Sequence, residues 1–213
     1  MPIENRPLRE QVKEELIKRL GRGTIPTGEP INEGRLATEL GVSRTPLREA
    51  LISLEREGVI TSERGKGFRF APLSAREFRD LTTIVATLES LALESTDPTR
   101  LAALAPRLLE EARAFSAPQA RHDVIERYDD AWHALLLSGC PNARLMDLIA
   151  SLKLTMHRYE QVALGDQDVL ERSAEEHERI AECLVNGDLP SAVRALRENW
   201  NSGMDRILER LTA

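Results

Sequence analysis

One stretch decides the fold. It begins at Ile31, ends at Phe70 and reads INEGRLATELGVSRTPLREALISLEREGVITSERGKGFRF. Ile31, Leu36, Leu40 and Val42 form the apolar set of a first short helix, and Gly41 stands where a glycine stops such a helix. Ser43 follows as an N-cap whose hydroxyl can accept an orphan N–H of the next turn. Pro46 falls in that turn, where a missing N–H costs little. Leu47, Leu51 and Leu54 recur at helical spacing and face a core. Two helices joined by so short a turn make a helix-turn-helix, whose second helix can enter a DNA major groove.

The charges fit that reading. Arg44, Thr45 and Arg48 lie at the N-terminal end of the second helix, the end that reaches base edges and phosphates. Arginine can fork onto guanine, and threonine can serve a phosphate or a thymine methyl. Arg35, on the preceding helix, can clamp the backbone. After Gly58 the pattern becomes Val59-Ile60-Thr61-Ser62, then Arg64-Gly65-Lys66-Gly67, then Phe68-Arg69-Phe70. Two short strands around a glycine-containing turn predict a hairpin. A basic hairpin beside a helix-turn-helix is a wing, whose glycines permit close approach to the sugar-phosphate edge.

At these residues the chain resembles the GntR family of bacterial transcription regulators. The run INEGRLATELGVSRTPLREALISLEREGVI and the Gly65-Lys66-Gly67 of the wing carry the resemblance, with a helix over Leu8 to Leu20 and the turn Pro26-Thr27-Gly28-Glu29 upstream. It implies a winged helix-turn-helix that binds a palindromic operator as a homodimer. It also implies DNA contacts from Arg35, Arg44, Thr45, Arg48, Lys66 and Gly67.

Composition bounds the rest. The 213 residues are enough for two small domains, and the ordinary apolar fraction with abundant charge indicates a soluble globular protein. No apolar run is long enough to span a bilayer, and MPIENRPLREQ lacks a signal-peptide core, so a cytoplasmic location and no membrane partner are expected. Cys140 and Cys183 lack metal or redox spacing and read as reduced thiols. The net charge of −6 divides unevenly: residues 1–71 carry a net of +2 and residues 72–213 a net of −8. The basic end is therefore the DNA end, and the acidic remainder must do another job.

A boundary is expected near Pro72-Leu73-Ser74, giving a DNA-binding domain over 1–71 and an all-helical effector and dimerisation domain over 72–213. Ser74 with Glu77 predicts a capping box for a new helix. Phe78, Leu81, Ile84, Val85, Leu88, Leu91 and Ala92 read as one apolar stripe along it. A helix from Asp97 or Thr99 through Leu109 comes next, then helices over about 118–138, 142–163, 167–186 and 189–211. Asn186-Gly187-Asp188 marks a helix stop and a cap. No strand pattern appears, so the fold class is mostly α: a winged helix-turn-helix followed by an all-α antiparallel bundle.

This second half resembles the effector domain of the FadR-like subgroup, the FCD domain. Asp129-Asp130-Ala131-Trp132-His133, Gly139-Cys140-Pro141-Asn142-Ala143-Arg144-Leu145, Glu176-His177-Glu178-Arg179-Ile180 and Asn186-Gly187-Asp188 carry the resemblance. It implies a helical bundle that dimerises and, in many members, a divalent metal held by one Asp and three His that helps bind a small carboxylate effector. Asp129 and His133, at i and i+4, project from one helix face and make a good half-site for zinc or nickel. His177 can close the site from a distant helix. The third histidine of the pattern falls on Asn199, a poor ligand for a borderline metal. The arginine that the resemblance implies four residues before Glu89 falls on Val85, and Arg158 is the alternative cation for an effector pocket of Val85, Glu89, Arg158 and Asn199. His122 and His157 have no carboxylate at ligand spacing, and Trp132 and Trp200 read as core or dimer-interface residues.

The function these readings support is a metabolite-responsive DNA-binding repressor, not an enzyme, with operator DNA, a small-molecule effector and a second copy of itself as partners and one zinc or nickel ion per chain. Two readings from other classes remain: a metal-dependent hydrolase built on Asp129, His133 and His177 with Glu176 or Glu178 as base, and a dimeric DNA-binding protein with a vestigial effector domain.

Overall fold

The computed structural model describes residues 7–21, 28–63, 65–115, 125–160 and 167–212. The chain divides into two compact units: Met1–Ser74 with Ser151–Gln161, and Ala75–Ala150 with Val162–Ala213.

The first unit is built on α1 (Leu8–Gly21), α2 (Glu33–Leu40) and α3 (Arg44–Arg56), followed by β1 (Ile60–Glu63) and β2 (Gly67–Phe70). Asn32 caps α2 by accepting the Arg35 N–H at 3.0 Å, and Gly41 ends it in the left-handed conformation. Ser43 occupies the N-cap position of α3 but makes no side-chain cap bond, so the expected hydroxyl cap is absent. Leu36, Leu47, Leu51 and Leu54, read from the sequence as apolar faces, form one core with Val12, Leu16 and Leu20 of α1, Ala50 of α3 and Ile60, Phe68 and Phe70 of the hairpin. The strands pair antiparallel with Ile60 opposite Phe70 and Ser62 opposite Phe68. The segment before α2 lines β2's other edge, with Gly28 N–H donating to Phe70 O at 2.9 Å and Ile31 N–H to Phe68 O at 2.7 Å.

The 151–161 segment, placed by sequence in the second domain, belongs to this first unit. It is the second half of α7 (Ala143–Glu160). Leu154 packs on the core, and the Thr155 hydroxyl donates to the Glu57 carbonyl at the end of α3 at 2.6 Å. Arg158 is fully buried and donates to the carbonyls of Thr155 at 3.2 Å and Pro72 at 3.4 Å, and to the Tyr159 hydroxyl at 3.4 Å. The Tyr159 hydroxyl accepts the Ser74 N–H at 3.2 Å. The backbone of the 72–74 link is thus held by the Arg158 and Tyr159 side chains.

The second unit contains α4 (Ala75–Glu94), α5 (Pro98–Phe115), α6 (Ile125–Leu137), the first half of α7, α8 (Gln167–Val185) and α9 (Leu189–Thr212). Asp97, Asn142 and Asp188 cap α5, α7 and α9 by accepting the N–H of Thr99, Leu145 and Ser191. The expected helix over 118–138 begins, within the described residues, at Ile125; its 118–124 portion and residues 161–163 of the next helix lie outside them. One apolar core runs from Ala92 and Leu93 through Leu108, Trp132, Leu136, Ile180 and Leu196. Gly139, between α6 and α7, is required by close approach, since a Cβ there would stand 2.5 Å from the Thr96 methyl. The apolar stripe expected on α4 splits. Phe78, Val85 and Ala92 are buried, whereas Ile84 and Leu91 are about half exposed, at 45% and 47%. The seven positions span more of the helix circumference than one packing face can cover.

Candidate nucleic-acid interface and candidate metal centre

The first unit presents its cations at the start of α3 and on the wing. Arg44, Thr45 and Arg48 are exposed in the first turns of α3, where its free N–H groups and positive dipole end also face outward. Several cations of this unit pair with carboxylates. Arg48 Nε lies 3.3 Å from Glu33, Arg35 Nε 2.7 Å from Glu39 and Lys66 Nζ 2.6 Å from Glu63. Arg19 shares Glu39 at 3.2 Å. The hydrogen bond from Arg35, with the charges of Arg35 and Arg19, outweighs desolvation and holds the Glu39 carboxyl below its ordinary value. Such exposed pairs are weak and exchange readily for phosphate. The Arg48 guanidinium also lies 6.0 Å from the Phe68 ring centre, which ties the reading helix to the wing. Gly65 and Gly67 turn the wing with φ of 83° and 77°.

In the second unit Asp129, His133 and His177 come together, each offering a ligand atom within 4.8 Å of the others. Asp129 and His133 stand one turn apart on α6, and His177 arrives from α8. The Asp129 carboxylate straddles the two rings, with one oxygen 3.4 Å from His177 Nε2 and the other 4.0 Å from His133 Nε2. Bonds of about 2.0–2.2 Å to one metal put ligand atoms about 3–3.5 Å apart; the closer pair already has that spacing. His133 and His177 are almost fully buried, whereas the Asp129 side chain is 41% exposed, so the centre opens on its carboxylate side.

A second layer orients these groups. Glu89, fully buried on α4, has its Oε2 2.7 Å from His133 Nδ1 and accepts the Trp200 indole N–H at 2.8 Å. A carboxylate on Nδ1 fixes the tautomer that leaves Nε2 as the ligand atom. Trp132 stacks on His177 with ring centres 4.0 Å apart and planes 4° from parallel, while its own N–H donates to Leu108 O at 3.0 Å. Ser173 donates to Asp129 Oδ1 at 2.9 Å. Two carboxylates therefore contact the two imidazoles, a set that a dication would offset. The donors are the nitrogen and oxygen ligands that suit zinc or nickel, so the residues fit such an ion.

The remaining pocket candidates separate. Val85 is fully buried on α4. Asn199 is buried on α9 and donates from Nδ2 to Glu176 Oε2 at 2.9 Å. Glu176 is forked by Arg206, at 3.0 Å on one oxygen and 3.1 Å on the other, and accepts the Ser202 hydroxyl at 2.6 Å. Burial alone would push the Glu176 carboxyl up. The hydrogen bonds from Arg206, Ser202 and Asn199, with the guanidinium charge, outweigh it and hold the group below the ordinary carboxylate value. Arg158 belongs to the first unit, where its guanidinium donates to the Thr155 and Pro72 carbonyls and to the Tyr159 hydroxyl. His157 is also in the first unit, and His122 lies outside the described residues.

Sequence reasoning named Glu89 only as a pocket residue and missed that it holds His133. Ser173 went unassigned, and Trp200, read as a core or dimer-interface residue, was not expected to bond Glu89. The Glu176–Arg206 pair, 30 residues apart on different helices, leaves no periodic signal at all.

An exposed basic reading helix with a wing, joined in one chain to an all-helical unit with a half-open His/Asp centre, defines a DNA-binding transcription regulator with a ligand-binding effector domain. Comparison with known proteins agrees. Residues 8–70 match the family described as bacterial regulatory proteins, gntR family, and residues 80–202 match the FCD domain. An uncharacterised HTH-type transcriptional regulator of Bacillus subtilis (strain 168), YdhC, is 31% identical over 201 residues, 92% of this chain and 89% of that one. The HTH-type transcriptional repressor GlaR of Escherichia coli (strain K12) is 24% identical over 191 residues, 84% of this chain and 86% of its own. Among solved structures, Escherichia coli McbR/YncC superposes with a TM-score of 0.79 at 21% identity over 97% of this chain and 99% of that one, a likeness of fold. The chain belongs to the GntR family, with an FCD effector domain. These relatives are regulators rather than enzymes, and the hydrolase reading is not favoured.

Proposed function

We propose that the protein is a cytoplasmic, homodimeric repressor. On this reading Arg35, Arg44, Thr45, Arg48, Lys66 and Gly67 contact a palindromic operator. A zinc or nickel ion on Asp129, His133 and His177 helps hold a small carboxylate effector. The observation that carries the sensing part is Glu89: it reaches from α4, the helix that follows the 72–74 link, to fix His133 at 2.7 Å. The metal, when bound, supplies a positive Lewis-acidic hold for an anionic effector. The chain supplies the response, because a change at His133 is felt by Glu89 and hence by α4. A ligand that binds one arrangement of α4 better than another shifts the DNA-binding units by that difference in affinity. Repression is supported by the repressor relative, and DNA as partner supports a cytoplasmic location. No described helix is long and apolar enough to cross a membrane.

The homodimer is supported by α4 itself. Half-buried Leu81 and Leu88 alternate with exposed Ile84 and Leu91 at spacings of three and four, an apolar face that the described residues cover only in part. The dimer-only reading with a vestigial effector domain predicts no metal. Elemental analysis before and after a chelator decides between them. About one zinc or nickel per chain, lost in Asp129→Ala and His177→Ala, is expected; a metal-free protein after incubation with excess zinc and nickel contradicts the proposal.

A further inference from the structure

The base of the wing is held by a segment far away in sequence. At the end of α3 the carbonyls of Ser53, Leu54 and Glu55 accept the N–H groups of Glu57, Val59 and Gly58 at 3.2, 3.0 and 3.1 Å. The carbonyl of Glu57, the C-cap residue, lies past that set. It accepts the Thr155 hydroxyl of α7 at 2.6 Å. Gly58 then turns the chain with a φ of 75°, and β1 begins at Ile60. At the other end of the hairpin, β2 closes at Phe70, and the Pro72 carbonyl just beyond it accepts from Arg158 at 3.4 Å. Thr155 and Arg158 stand at i and i+3, on one face of α7. That face therefore holds both the entrance and the exit of the wing. Both side chains are buried, Thr155 at 5% exposure and Arg158 at 0%, and Leu154 packs on the core of the same unit.

Resting on the reading of α3 and the wing as the DNA-contacting surface, we infer that α7 positions the wing for operator recognition and that Thr155 is the positioning residue at its entrance. A two-stranded hairpin is marginal by itself, so its pose comes from what holds its base. The other tie between wing and reading helix is Arg48 over the Phe68 ring, at 6.0 Å. Arg48 is exposed and gives up that contact when it engages DNA. The angle at Glu57 and Gly58 is then left to the core and to Thr155. A wing already set at the angle that the duplex needs spares the cost of ordering it on binding. Attraction between the cations and phosphates carries no sequence information and survives a looser angle. Thr155 itself touches no DNA on this reading.

The test uses the full chain and the duplex that it enriches from a random pool, with a scrambled duplex of equal length as control, both read by fluorescence anisotropy. Thr155→Val keeps the branched shape and removes the O–H. It is expected to weaken binding to the enriched duplex about three- to tenfold and to leave binding to the scrambled one unchanged. Thr155→Ser, which keeps the hydroxyl, is expected to recover most of that loss. Circular dichroism and urea denaturation establish that each variant is folded under the binding conditions. A folded Thr155→Val with native affinity for the enriched duplex overturns the inference and leaves the hydroxyl a stability contact alone. An equal loss on both duplexes overturns it too. Should Thr155→Val fail to fold, the native chain decides: amide hydrogen exchange at 152–159 and 57–60 is expected to slow with the enriched duplex and not with the scrambled one. Unchanged exchange at 152–159 overturns the inference. Native affinity for the enriched duplex in Arg44→Ala with Arg48→Ala overturns the reading of α3 itself, and this inference with it.

Discussion

The two units hold their functional charges in opposite ways. In the first, Arg35, Arg48 and Lys66 stand in solvent, with side chains 80%, 60% and 68% exposed, on carboxylates one or two turns away or on the adjacent element. In the second, Glu89, His133, His177 and Glu176 are buried, and each is fixed by a partner from another helix. Exposed pairs cost little to break, so the reading face can exchange its carboxylates for phosphates. Buried groups are costly to leave unpaired, so the sensor keeps its geometry until a ligand replaces a partner. A reading head must let go of its own contacts to bind, and a sensor must not.

That contrast can be broken most severely at α3. Arg44→Ala with Arg48→Ala should weaken operator binding by roughly 2–6 kcal/mol, about 1–3 for each arginine that reads a base, with no loss of helix content. Fluorescence anisotropy against operator DNA with parallel circular dichroism reads both, and native affinity in the double variant would remove α3 from the interface. In the sensor, Glu176→Ala should cost about 3–5 kcal/mol of stability by stranding Arg206, measured by urea denaturation. The sign of the pH effect follows from the lowered Glu176 value. Its contribution is fully present above the unfolded carboxylate value of about 4.3 and is lost as pH falls through the lower folded one. Glu176→Gln should flatten that acid limb, and an unchanged limb would show that the pair does not carry it.

Smaller effects sharpen the comparison. Glu89→Gln should reduce zinc affinity by about 10–100-fold in equilibrium dialysis, because His133 loses its orienting carboxylate. Arg158→Met should destabilise the first unit by about 1–3 kcal/mol through the unpaired Pro72 carbonyl, without altering metal content. A change in metal content in that variant would contradict its assignment to the first unit.

The legibility of the two units differs for the same reason. The Gly41 stop, the Leu47-Leu51-Leu54 face and the wing are local features, written within a turn or two of the residues they organise, and they were readable. Asp129 and His133 were readable because i and i+4 share a helix face. The hydroxyl cap expected of Ser43 failed because an N-cap position does not oblige its side chain to bond. The stripe on α4 was read too wide, since apolar residues alone do not say whether a face meets the core or lies open. The union of 151–161 with the first unit was hidden, because its bond from Thr155 to Glu57 spans 98 positions and leaves no period in the sequence. Arg158 was hidden with it: a charged residue near a helix end reads as a surface or pocket cation, and only the fold supplies the carbonyls that bury it.

The most direct test of the account is selection of duplex DNA from a random pool by the native full-length protein, followed by affinity measurement on the enriched sequence with and without bound zinc. The account predicts a palindrome with half-sites about one helical turn or a multiple apart. It further predicts an affinity that shifts by about fivefold or more between the zinc-loaded and stripped states. Enrichment of no common sequence, or a palindrome bound equally well whatever the state of the metal centre, would contradict it.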